Sequence, residues 1–191
     1  MQFKRQKFDV DGLLLIDKPL GLSSNQSISK IKTLFSPKKV GHTGTLDPMA
    51  TGLLPICLGQ ATKFSSYLLN EDKTYEASLR LGYKSSTGDT EGSIIKQEGE
   101  VMPSVGLIKE VLNKFVGLIE QLPPMYSALK HKGKPLYLYA REGVNIPRAK
   151  RKVTIYGIEL LSYEGDKLKL KIDCSKGTYI RTLAEDIGDK L

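Results

Sequence analysis

The chain has 191 residues and a formal charge of +8, from 29 Lys and Arg against 21 Asp and Glu. Hydrophobic residues at 40% and charged residues at 26% exclude wholesale disorder. No apolar run approaches the ~18 residues of a membrane helix, no signal-peptide core follows the basic start, and Cys57 and Cys174 form no CxxC pair. The expectations are one domain, a reducing cytoplasm, a monomer, no metal and no membrane partner.

In chain order, Gly12 to Asp17 reads as a short buried strand, stopped by the turn Lys18-Pro19-Leu20-Gly21. Ser23 or Ser24 can cap a helix whose apolar stripe is Ile28, Ile31, Leu34 and Phe35, and Pro37 ends it. Val40 to Thr51 reads as loop, Gly52 to Leu58 as a buried strand, and Ala61 to Leu69 as a short helix. Thr74 to Gly82 alternates, with Tyr75, Ala77, Leu79 and Leu81 on one face. Ser85 to Gly92 is a polar loop, Ser104 to Leu112 a helix and Phe115 to Gln121 a strand. Leu122 to Arg148 reads as a long basic loop with a helix around Leu136 to Arg141. Val153 to Ser162 and Lys167 to Cys174 form a hairpin. The last element is a helix with Ile180, Leu183, Ala184 and Ile187 on one face, Thr178 as its cap and Gly188 as its stop. The pattern is mixed α and β with hairpin pairing, not a βαβ nucleotide fold, and it holds no P-loop.

The charge is segregated. Lys18 to Leu46 carries five bases (Lys18, Lys30, Lys32, Lys38, Lys39) and no acid, and Lys130 to Lys152 nets +7, so the rest nets −4. Two basic segments on a mildly acidic body suit phosphate contacts; the bland reading is a solvated lysine-rich surface.

The densest segment is Val40-Gly41-His42-Thr43-Gly44-Thr45-Leu46-Asp47-Pro48-Met49-Ala50-Thr51-Gly52. Pro48 restricts Asp47 to extended conformations, which holds its carboxylate on a stiff stem. Asp47 reads either as a turn acid or as a catalytic carboxylate.

This segment resembles the catalytic loop of the bacterial tRNA pseudouridine synthase B family, TruB. Other motifs fall in the family's order. Asp17-Lys18-Pro19-Leu20-Gly21-Leu22-Ser23-Ser24 resembles the first, and Gly41 to Pro48 with Gly52-Leu53-Leu54-Pro55 the second. Lys73-Thr74-Tyr75-Glu76-Ala77 resembles the strand of the active-site tyrosine. Pro123-Pro124-Met125-Tyr126-Ser127-Ala128-Leu129-Lys130 resembles the start of a tRNA-clasping insertion. Cys174-Ser175-Lys176-Gly177-Thr178-Tyr179-Ile180-Arg181-Thr182-Leu183 resembles the arginine motif. Family members continue past Leu191 and add an RNA-binding PUA domain, so residues 1–191 are expected to form a C-terminally incomplete catalytic domain, with 122–150 as the insertion.

The resemblance implies an α+β pseudouridine synthase fold, a mixed, mostly antiparallel sheet with flanking helices and a basic insertion. The implied activity is isomerisation of uridine-55 in the tRNA T loop, with no cofactor. Asp47 matches the essential aspartate, Arg181 the arginine that pairs with it, and Tyr75 the tyrosine that stacks on the flipped base. Tyr179 matches a substrate-pocket tyrosine, His42 a residue inserted into the T loop, and Lys18 a support of the active-site loop. Lys130, Lys132, Lys134, Arg141, Arg148 and Lys150 are the expected phosphate contacts, and the T-arm elbow of tRNA the expected partner. Two other readings are a non-catalytic RNA-binding or RNA-folding module and, less favoured, guide-RNA-dependent modification.

Overall fold

The computed structural model describes residues 6–97 and 102–191. The chain divides into two compact units, Met1–Glu71 and Asp72–Leu191.

The first unit contains β1 (Gly12–Lys18), α1 (Ser24–Phe35), β2 (Val40–His42), β3 (Gly52–Leu58), a 3₁₀ turn (Gly59–Phe64) and α2 (Ser65–Asn70). Its sheet runs β1-β3-β2, antiparallel throughout, with β1 on β3 in register from Gly12↔Leu58 to Lys18↔Gly52. Ile28 and Ile31 of α1 pack with Leu54, Ile56 and Leu58 of β3 to make its core. Ser23 caps α1 by a reciprocal box with Gln26, which satisfies donors that the first turn leaves open.

Three expectations change here. β1 is not a fully buried strand: Leu13 and Leu15 are exposed, while Leu14 and Ile16 pack against the core. A strand projects alternate side chains to opposite faces, so an unbroken leucine run buries only every other residue against a single core. Of the expected helical stripe, Ile28 and Ile31 are buried but Leu34 and Phe35 are exposed. The helix stops at them: Ser36 turns left-handed at φ 43°, its N–H closes on the Lys32 carbonyl, and Pro37 follows. Finally, the segment expected to be all loop opens with β2.

The second unit contains β4 (Lys73–Arg80), β5 (Tyr83–Ser85), β6 (Ile94–Lys96), α3 (Val105–Lys114), β7 (Gly117–Gln121), β8 (Lys130–His131), β9 (Lys134–Pro135), α4 (Leu136–Arg141), β10 (Arg151–Glu164), β11 (Lys167–Cys174) and α5 (Ile180–Gly188). The main sheet runs β4-β11-β10-β7, all antiparallel. Leu168, Leu170, Ile172 and Cys174 line one face of β11. Leu79, Ile155, Ile108 and Leu112 from α3, and Leu183 and Ile187 from α5, complete this core. Each fully buried aliphatic side chain contributes roughly 1.5–3 kcal/mol. Register shifts in β10 at Ile155/Gly157 and Leu160/Ser162 bend the long strand.

The expected hairpin and terminal helix are present, but Thr178 does not cap α5. Its hydroxyl donates to the Ser175 carbonyl, and Tyr179 is the cap position, with no side-chain hydrogen bond. Within the stretch expected to be loop, β8 and β9 form a small hairpin ahead of α4. The cysteines are buried, Cys57 in β3 and Cys174 in β11, one in each unit, and burial pushes both thiols above their usual pKa. No described helix is long and apolar enough to cross a membrane.

Candidate active site

In the first unit, backbone ties hold the Asp47 loop from both sides. The Ser24 hydroxyl, at the start of α1, accepts from the Leu46 N–H at 2.9 Å and lies 3.1 Å from the Leu46 carbonyl. One residue beyond Asp47, the Pro48 carbonyl accepts from the Gly21 N–H at 2.8 Å and from Lys18 Nζ at 3.4 Å. The Ala50 N–H closes a turn on the Asp47 carbonyl at 3.0 Å, and Thr43 is tied to the Pro55 carbonyl of β3. These backbone ties position the Asp47 side chain from the residues on either side of it. Asp47 is half-buried.

Lys18 ends β1 with its side chain fully buried. Its ammonium donates to the carbonyls of Pro19 (3.0 Å), Leu22 (2.6 Å) and Pro48 (3.4 Å). Burial pushes its pKa below the usual lysine value, and the nearby Asp47 carboxylate pulls it back up. The ammonium therefore staples the turn after β1 to the Asp47 loop, and its charge is close enough to that of Asp47 for the two to attract.

His42, at the end of β2, has a buried Nδ1 that makes no well-formed hydrogen bond. Burial pushes its pKa below the ordinary histidine value, offset in part by the Gly44 backbone. The unfolded chain then binds the proton more readily than the native one. Stability is full above the ordinary pKa near 6.5 and falls as pH drops below it. A His42→Gln chain is expected to lose this part of the acid sensitivity, read from melting temperature against pH between about 7.5 and 5. Parallel curves for the two chains would rule it out.

In the second unit, Arg181 lies in the first turn of α5. Its guanidinium donates to Asp89 Oδ2 at 3.0 Å, to the Thr87 carbonyl at 3.2 Å and to the Tyr126 carbonyl at 2.6 Å. The side chains of Arg181 and Asp89 are only 15% and 3% exposed. Asp89 also accepts from the Thr87 hydroxyl and from the Glu91 N–H. A cation near the positive end of a helix is unfavourable, and the Asp89 carboxylate offsets it. Gly88 lets the loop come this close: it sits at φ +75°, and a Cβ there would lie 3.1 Å from Glu185 Oε1 and 3.4 Å from the Arg181 Cβ.

Asp89 was not among the residues singled out by sequence. It lies in Ser85 to Gly92, which reads as an ordinary polar loop; the one available signal was a Gly-Asp pair inside a run of hydroxyl side chains. The start of α5 is fixed by Gln121 of β7, 2% exposed, whose amide exchanges hydrogen bonds with the Tyr179 carbonyl (3.2 Å) and N–H (2.9 Å). Tyr75 is half-buried on β4 opposite Ile172, packed against the core.

The basic insertion splits into two kinds of residue. Lys134 pairs with Glu142 at 2.6 Å and lies over the Tyr139 ring, and Arg148 bonds the Pro123 carbonyl at 3.0 Å and Asn145 at 3.3 Å. These two shape the insertion itself. Lys130, Lys132, Arg141 and Lys150 are exposed, and Arg141 lies 5.5 Å from the Tyr137 ring centre. Among the described residues no cluster of His, Cys, Asp and Glu could hold a metal ion.

Residues 32–180 match the family model described as TruB family pseudouridylate synthase (N terminal domain). The chain is 57% identical over 191 residues to the tRNA pseudouridine synthase B of Methylobacillus flagellatus, covering all of this chain and 63% of that protein. It is 51% identical over 191 residues to the enzyme of the same name from Aeromonas salmonicida, covering 98% of this chain and 60% of that one. It thus spans about three fifths of the length of these relatives. Among solved structures, a Cbf5-Nop10-Gar1 complex contains a chain 32% identical, with a TM-score of 0.72 over 94% of this chain and 44% of that one. An H/ACA RNP bound to a substrate RNA containing 2'-deoxyuridine gives 29% identity and a TM-score of 0.67, over 94% and 43%. The match to the family model over most of the chain, the identity to these relatives and the shared antiparallel fold lead to one conclusion: the chain belongs to the TruB family of pseudouridylate synthases.

Proposed function

We propose that this chain carries out the isomerisation of uridine-55 in the T loop of tRNA to pseudouridine. The observation that carries the reading is the Asp47 loop, a half-buried carboxylate on a backbone pinned at Leu46 and Pro48, with a buried ammonium beside it. The relatives' name supplies the substrate class.

The reaction breaks the N1–C1′ bond of the uridine, turns the base and joins C5 to C1′. N1 ends with a proton and the C5 hydrogen leaves to solvent, so the base is isomerised with no change of oxidation state. A redox cofactor has no part in that balance. The base must leave the helical stack to reach a buried group, and an aromatic face compensates for the lost stacking. Tyr75 supplies that face, Tyr179 a wall of the pocket, and His42 the wedge that holds the T loop open. Asp47 acts at the base or the sugar as a carboxylate; attack at C6, attack at C1′ and proton removal at C2′ are the three routes open to it. The resemblance makes Arg181 the partner of that charge, its guanidinium here being oriented by Asp89, and Lys18 holds the Asp47 loop. Of the six expected phosphate contacts, the exposed Lys130, Lys132, Arg141 and Lys150 take the phosphates while Lys134 and Arg148 shape the insertion that presents them, and the T-arm elbow is read by shape.

The test is tritium release from tRNA transcripts labelled at uridine C5. The expected result is release that maps to the T-loop uridine. Release from another position overturns the assignment of uridine-55, and tight binding without release replaces the enzyme with an RNA-binding module.

A further inference from the structure

In the first unit, Lys7, Lys32, Lys38 and Lys39 line a cavity of about 570 Å³, together with Ser36, Pro37, Val40, Gly41 and Thr62. Among the described residues no acidic side chain lines it. The walls are set by structure rather than by side-chain chance. Ser36 turns left-handed at the end of α1, and its carbonyl accepts from the Phe8 N–H at 2.9 Å, which draws the N-terminal segment alongside. Phe8 and Pro37 form a parallel bridge, and the Lys39 carbonyl accepts from the Gly59 N–H at 2.9 Å. Asp9 holds Lys38 through an ion pair of 2.7 Å, leaving a net positive lining.

Three further ammonium groups gathered on a concave surface repel one another, and low-dielectric walls focus their field outward. An anion relieves that repulsion. The volume falls in the roughly 300–1,000 Å³ range of ligand clefts, larger than a lone phosphate needs. The lysines are exposed and act as point charges, unlike the rigid forks and glycine nests that grip a single terminal phosphate. We infer that this cleft is a second RNA-backbone site, seating consecutive phosphodiesters through Lys7, Lys32 and Lys39, with Lys38 held in place by Asp9. The inference rests on the proposed function, since it requires an RNA substrate, but it assigns a role to a surface that the base-isomerising residues do not use.

The test is the salt dependence of affinity for a fluorescent tRNA transcript, compared between the parent chain and K7Q/K32Q/K39Q. Each phosphate neutralised contributes roughly 0.9 to the slope of log K against log salt on a duplex. The triple variant is expected to flatten the slope by about 2 to 3 and to bind at least about tenfold more weakly near 0.1 M salt. Its melting temperature is expected to match the parent's, because these side chains are exposed. An unchanged slope in a folded variant, with the parent binding steeply, overturns the cleft and leaves the proposed function standing. A parent that does not bind tRNA overturns both. Inorganic phosphate is titrated alone and as competitor: saturable binding that displaces the RNA would make the cleft a free-anion site and overturn the backbone assignment.

Discussion

An Asp47→Asn chain is expected to lose at least about 1,000-fold in tritium release, or roughly 4 kcal/mol of transition-state stabilisation, while tRNA affinity changes little. Asparagine has nearly the same shape, and the loop's backbone is tied through Leu46, Pro48, Ser24, Gly21 and Lys18, which the substitution leaves in place. The substitution therefore removes charge and basicity without releasing the backbone. There is one structural side effect. The Asp47 charge raises the pKa of buried Lys18, so its loss deepens the depression that burial imposes and eases deprotonation of that ammonium at high pH. The unfolded chain then binds that proton more readily than the native one, so any melting-temperature deficit of the variant is expected to be largest near neutral pH and to narrow as pH rises. Equal losses of binding and turnover would make Asp47 a structural acid instead.

Asp89→Asn is expected to act on both stability and turnover, through Arg181. The pair is nearly dry, and the substitution takes the Asp89 charge away from a mostly buried guanidinium that keeps its bonds to two carbonyls. Breaking such a pair costs about 3 kcal/mol, which lowers the melting temperature of a chain this size by roughly 6–12 °C. The double variant D89N/R181M is expected to recover part of that stability, because no orphaned charge remains. It should recover no turnover, because the proposed partner of Asp47 is gone. Additive losses in the cycle would show that the two side chains do not depend on each other.

How much of this was legible follows from how each feature is encoded. The Leu168/Leu170/Ile172/Cys174 alternation and the Ile180/Leu183/Ile187 spacing are local records of one buried face, and the sheet and α5 follow them. Leu34, Phe35, Leu13 and Leu15 misled because hydrophobicity does not say which face meets a core. Thr178 looked like a cap, but Gln121, far away in sequence, takes the Tyr179 backbone instead. The β8–β9 pair is two residues a side, too short to show a period. At the site, Asp47 and Arg181 were reached through the resemblance. Asp89 was not, because its importance lies in a contact 92 residues away in sequence and in burial, neither of which a polar loop announces. Lys18 was expected only as a support, and its three carbonyl partners show how it serves as one.

The placement of the two cysteines gives the chain a pair of internal reporters. A buried thiol meets an alkylating reagent only when its surroundings open. Cys57 sits on β3 in the unit that holds the Asp47 loop, and Cys174 on β11 in the other, each shielded and each shifted away from the reactive thiolate. Single-cysteine labelling rates in native buffer therefore read the opening free energy of each unit separately. They can show whether the two melt as one cooperative block or whether one half of the molecule breathes while the other stays closed.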